Sequence, residues 1–108
     1  LVAKGFRQVK GQDYDEVYAP TVDIATVRTV LDDAVERELH MSQFDMSTAF
    51  LSGDLEETVF LKLPPELGGK LWRLKKALYG LKQAARAWQM KLRQAMTELG
   101  FTHSHVDP

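Results

Sequence analysis

The sequence predicts an α/β or α+β layer fold built as one domain, residues 1–108. Three observations carry this. Apolar residues recur at helical spacing in two segments, short β-branched runs bounded by Gly and Pro lie between them, and 108 residues leave room for one core rather than two. With 44% hydrophobic residues the chain has a globular rather than a disordered composition. It contains no Cys, which excludes disulfide frameworks, thiolate metal sites and thiol nucleophiles and fits a reducing compartment. Its apolar runs are a few residues long, far short of the ~20 a membrane span needs, and its start has no signal-peptide pattern. The expectation is a soluble intracellular domain. Opening at Leu1 and ending on Asp107-Pro108, it reads as a piece of something longer.

Taken in order, Leu1-Val2-Ala3 reads as the end of a strand broken by Gly5, and Gly11 to Pro20 is an acidic, turn-rich stretch anchored by Tyr14 and Tyr18. Asp23 is placed to cap a helix at about 24–38, whose apolar stripe is Ile24, Val27, Leu31, Ala34 and Val35. Residues 41–46 read as a short strand with Phe44 and Met46 on one face and Asp45 on the other. Ser47 to Leu51 suits a helical turn ended by Ser52-Gly53-Asp54. Thr58 to Leu63 is a β-branched, apolar strand stopped by Pro64-Pro65, and Lys70 to Leu74 follows as another after Gly68-Gly69. Ala84, Trp88, Leu92, Ala95 and Leu99 mark a second helix at 84–99, with Gly100 as its C-terminal cap.

The net charge of −1 hides a segregation. Residues 1–61 carry five basic against twelve acidic side chains, −7, whereas residues 62–93 carry nine basic against Glu66, +8. Cations interleaved with Trp72, Tyr79 and Trp88 suit a polyanion, because they neutralise phosphates while aromatic rings stack on bases. The same residues also suit the solvated face of a helix, and composition leaves both readings open.

Two segments can carry chemistry. Asp45, at the end of its expected strand and followed by Ser47, Thr48, Ala49 and Phe50, is either a ligand for Mg²⁺ or a cap for the next turn. One carboxylate is too few for two-metal phosphoryl transfer. Tyr79-Gly80-Leu81-Lys82-Gln83 offers a bend at Gly80 and polar groups for a phosphate or base edge, or serves as the cap of the following helix. Lys75-Lys76 fits a charged strand edge equally well. His103 and His105 lack a third ligand, and no Walker-type loop or Ser-His-Asp order is present.

Together these blocks resemble the reverse transcriptase domain of copia-type LTR retrotransposons. Leu1 to Phe6 with Gln8, Gly11 to Tyr14 and Tyr18-Ala19-Pro20 are similar to that family's opening. Phe44-Asp45-Met46-Ser47-Thr48-Ala49-Phe50-Leu51-Ser52-Gly53-Asp54-Leu55 is similar to its first catalytic motif. Leu74 to Ala84, with Arg86 and Trp88, is similar to its most recognisable block. The resemblance runs the length of the chain in the expected order. It implies a polymerase palm with part of the fingers, an incomplete sheet packed by the two helices. It further implies that Asp45 and the Met46 backbone carbonyl bind Mg²⁺, that Phe50 lies under the incoming sugar and disfavours a 2′-hydroxyl, and that Gln83 touches the nucleotide or template base. Lys75, Lys76, Lys82 and Arg86 are weaker candidates for nucleic-acid contact. The implied partners are an RNA or DNA template with primer, a dNTP, and the integrase and RNase H of a polyprotein; the implied location is a cytoplasmic particle or the nucleus.

The pattern departs from the family in places. An aromatic-x-Asp-Asp hairpin is not present; Asp32-Asp33 lie inside the expected helix. Ala85 replaces the usual Pro, the stretch between Pro65 and Leu71 is short, and the family's triphosphate-gripping basic residue would precede Leu1. The expectation is therefore a slice of a polymerase, inactive by itself and marginally stable. The alternative is a nucleic-acid-binding or scaffold relic of the same fold without chemistry.

Overall fold

The computed structural model describes residues 1–107. It contains two helices, α1 (Ile24–Glu36) and α2 (Ala84–Glu98), and one antiparallel pair of strands, β1 (Phe60–Lys62) and β2 (Leu71–Arg73). Short 3₁₀ turns at Gly5–Arg7, Ala49–Ser52 and Pro65–Leu67 complete the order. Among the described residues no helix is long and apolar enough to cross a membrane.

Helix α1 forms where its cap and stripe place it. Asp23 stays extended and its carboxylate accepts from Ala25 N at 2.8 Å, satisfying one of the free N–H groups of the first turn. A second carboxylate arrives from the far end of the chain, where Asp107 accepts from Asp23 N at 3.0 Å. The Thr26 hydroxyl, then the Asp23 N–H, hold the Asp107 carboxyl below its usual range. The helix ends earlier than 38, because Glu38 turns left-handed (φ 53°) and Leu39 N reaches back to Ala34 O at 2.8 Å. Helix α2 ends as expected: Gly100 follows it, and Phe101 N donates to Met96 O at 3.0 Å.

The strands pair Phe60 with Arg73, Leu61 with Trp72 and Lys62 with Leu71. Leu63 N to Lys70 O and Leu74 N to Val59 O, both 2.9 Å, continue the hairpin at each end. Facing pairs share a side, so Phe60, Lys62, Leu71 and Arg73 lie on one exposed face, with Leu61 and Trp72 on the other.

Three expectations are corrected. Residues 41–46 are not a strand: among the described residues, positions 40–47 form no backbone hydrogen bond, and extended chain without a partner is not a sheet. Leu1–Ala3 is not one either; it makes a single ladder-like contact, Ala3 N to Tyr79 O at 2.7 Å. Nor do the two helices pack on the sheet. Among the described residues helix α1 packs against no other helix or strand, and α2 packs against the Ala49–Ser52 turn. A sheet of three residue pairs is too small to present a face to a helix.

The core gathers instead where the N-terminal segment meets residues 50–87. Ala3, Val59, Ala77, Leu81 and Ala84 are buried together, and Phe50, Leu55, Leu61, Leu74, Leu78 and Ala87 pack around them. Three of the five buried residues are Ala, so backbones approach closely there. Elsewhere burial is thin. Ile24, Val30, Leu31 and Val35 of α1 are exposed, and only Ala34 of that helix is buried. The radius of gyration is 17.7 Å, against about 13 Å for a compact chain of this size.

Candidate functional site

The first-motif segment turns on a strained residue. Thr48 sits in the left-handed region (φ 54°, ψ 37°), uncommon for a β-branched side chain. From there the 3₁₀ turn Ala49–Ser52 carries Phe50 inward, where its ring packs on Tyr79 with centroids 4.8 Å apart at 35°. Two of the sequence-predicted blocks therefore meet as an aromatic pair. Asp45, on the other side of the turn, is exposed and has no hydrogen-bond or ion-pair partner among the described residues. Its carboxylate and the Met46 carbonyl are the hard oxygen donors magnesium takes, enough for a share in one ion completed by phosphate oxygens. Among the described residues no three His, Cys, Asp or Glu side chains gather, so an enclosed two-ion site is not formed by them.

The Tyr79–Gln83 segment is held from beneath by residues 3–14. Gly80, at φ +95°, lies so close to this strap that a Cβ on it would stand 2.1 Å from Ala3 O. Lys82 N donates to Gln8 Oε1 at 2.8 Å, Gln8 Nε2 to Gln83 Oε1 at 2.9 Å, and Gln83 Nε2 to Asp13 O at 3.0 Å. Gln83 is 3% exposed, the one buried polar side chain among the described residues. Its carboxamide is engaged with Gln8 and Asp13. The Lys82 ammonium stays outside, 3.3 Å from Gln8 O and 5.0 Å from the Tyr14 ring centroid.

The basic stretch is divided between internal partners and open surface. Asp54 bridges Lys76 and Lys91, the latter at 3.1 Å, tying the chain after the 3₁₀ turn to α2. Arg86 is half-buried beside Glu16, Glu56 and Glu57 in a groove of about 310 Å³. Lys62, Lys70, Arg73 and Lys75 are exposed on and beside the β1–β2 hairpin, next to the exposed Trp72.

The Asp54 bridge gives a pH signature. Hydrogen bonds from Lys76, then Lys91, lower the Asp54 pKa below its ordinary 3.8. A depressed folded-state pKa stabilises above the unfolded value and loses that contribution as pH falls through the folded one. Asp54→Asn is therefore expected to lower Tm slightly at pH 7, by less as salt rises, and not at all once the pH is well below 4. Thermal melts of both proteins across pH check this.

Gln8, Asp13 and Asp54 are the residues of this site to which sequence reasoning gave no site role. Their partners lie 22 to 75 positions away, so no local spacing marks them.

The order of the motifs points to a polymerase-related chain, and comparison with known proteins agrees. The family model "Reverse transcriptase (RNA-dependent DNA polymerase)" matches residues 1–107, and the chain belongs to that family. It is 43% identical, over 100% of its own length, to the retrovirus-related Pol polyprotein from transposon TNT 1-94 of Nicotiana tabacum, of which it covers 8%. It is 42% identical over 99% of its length to the Pol polyprotein from transposon RE2 of Arabidopsis thaliana, again covering 8%. Over 82% of its length it is 43% identical to the Ty1-BL Gag-Pol polyprotein of Saccharomyces cerevisiae, covering 5%. The chain thus spans under a tenth of these curated relatives. No solved structure matches it.

Proposed function

We propose that this chain is the palm and part of the fingers of an RNA-directed DNA polymerase within a retrotransposon Pol polyprotein, working beside integrase and RNase H in a cytoplasmic particle or the nucleus. The observation that carries this is the family match over residues 1–107, together with the pairing of Phe50 and Tyr79 from two separate motifs. In this reading the sugar of an incoming dNTP rests on that pair. Phe50 crowds a 2′-hydroxyl and so favours deoxynucleotides. Gln83 forms the buried wall behind the nucleotide, holding the turn that bears Tyr79 and Lys82. Lys75, Lys82 and Arg86 face the phosphates of primer and template, and Lys76 joins them when Asp54 releases it. Asp45 and the Met46 carbonyl take a share of Mg²⁺, which when bound neutralises triphosphate charge and polarises the phosphoryl group. The remaining donors come from other parts of the polymerase.

The test is primer extension by the complete domain carrying this chain. Extension with dNTPs is expected, and Phe50→Val is expected to raise the use of ribonucleotides relative to deoxynucleotides on the order of 10²-fold. Primer–template binding without incorporation would refute the polymerase reading and favour the non-catalytic relic.

A further inference from the structure

We propose that Gln8 is a positioning residue for the nucleotide pocket, acting through a polar relay that runs from Lys82 through Gln8 and Gln83 to Asp13. The inference rests on the polymerase reading and adds to it a residue that touches neither nucleotide nor metal.

The relay has one direction. At one end a backbone N–H, that of Lys82, can only donate, so Gln8 must present Oε1 to it. That leaves Gln8 Nε2 facing Gln83, which must answer with Oε1 and turn its own Nε2 to the Asp13 carbonyl. Both amide orientations are thus fixed by backbone groups at the two ends. Gln83 is buried at 3%, so its oxygen has little access to water if Gln8 is lost. The strap that carries Gln8 is itself braced: Asp13 Oδ2 accepts from Val9 N at 2.7 Å, and Gly11 N donates to Tyr14 O at 2.8 Å.

What the relay holds is the Tyr79–Lys82 turn. Ala3 N bonds Tyr79 O at 2.7 Å on one side of Gly80, and Gln8 bonds Lys82 N on the other. The Tyr79 ring beneath Phe50 and the Lys82 ammonium are placed by these two ties. Gln at position 8 meets a requirement that Glu does not: a carboxylate accepts from Lys82 N but has no proton to offer Gln83. Gln83 would have to flip and abandon Asp13.

The experiment compares Gln8→Ala and Gln8→Glu with the parent in the complete reverse transcriptase domain. Two readouts are taken: steady-state incorporation of a single dNTP, and hydrogen exchange at the Lys82 amide. With Gln8→Ala, KM for dNTP is expected to rise roughly tenfold while kcat stays within about twofold, and Lys82 exchange to accelerate. Gln8→Glu keeps the Lys82 acceptor, so exchange there stays slow, while KM rises because Gln83, the wall behind the nucleotide, loses its donor at position 8; this variant decides the matter if the Ala protein does not fold. Accelerated exchange with KM unchanged, or a fall confined to kcat, overturns the positioning role. A parent domain that extends no primer overturns the polymerase reading instead, and in that case unchanged Lys82 exchange in Gln8→Ala separately overturns the relay.

Discussion

Gly80→Ala is expected to remove on the order of 3 kcal/mol of stability, more than a glycine-to-alanine change usually does. Two costs add. The backbone at Gly80 has φ +95°, a conformation side chains rarely adopt, and a Cβ there meets the Ala3 backbone, with O at 2.1 Å and C at 3.0 Å, as well as Val2 Cγ1 at 2.8 Å; the nearest of these is backbone, which cannot swing aside. Relief would require lifting residues 2–5 off the turn. Gly5 is equally tight, a Cβ on it standing 1.8 Å from Gly80 O, so the strap is seated on the turn at a second point. Gly68 is the control: it has φ +91° but nothing within 4 Å of a Cβ, so Gly68→Ala carries the conformational cost alone, about 1 kcal/mol. Urea titrations of the two variants measure the difference. A domain of this size has about 5–15 kcal/mol in total, so the Gly80 change consumes a large share. Equal losses at the two positions would show that the strap is not seated on Gly80.

This strap also marks where sequence reading stopped. The helices were legible because their signals are local: Asp23 next to the stripe that begins at Ile24, and Gly100 just after Leu99. The two strands were legible because Pro64-Pro65 and Gly68-Gly69 bound two β-branched or apolar runs; that they pair with each other came from the structure. The reading of 41–46 as a strand failed on something no local pattern contains, namely whether another backbone is offered alongside. The alternation of Phe44, Asp45 and Met46 describes a preference, and pairing decides the outcome. The site divides the same way. Phe50, Tyr79 and Gln83 stood in recognisable blocks, but the ties among residues 3–14 and 77–83 are set by the fold. The basic run from 62 to 93 was visible as composition; that Asp54 claims two of its lysines was not.

Asp45→Asn is the substitution with the largest expected effect on activity and among the smallest on stability. In the complete domain, incorporation is expected to fall on the order of 10³-fold, since a charged oxygen donor to the metal contributes several kcal/mol to the transition state and each 1.36 kcal/mol is a factor of ten. Asn keeps the shape and one oxygen of Asp, so the loss reads charge rather than packing. The stability side follows from the surroundings. Asp45 is exposed, lies in the unpaired 40–47 stretch and has no hydrogen-bond or ion-pair partner among the described residues, so its replacement changes unfolding free energy by no more than about 0.5 kcal/mol. A structural carboxylate would show the opposite balance. Primer extension beside a thermal melt of the same preparation separates the two. Full incorporation by Asp45→Asn would remove Asp45 from the reaction, and a large fall in Tm would mean that the carboxylate supports the fold rather than the chemistry.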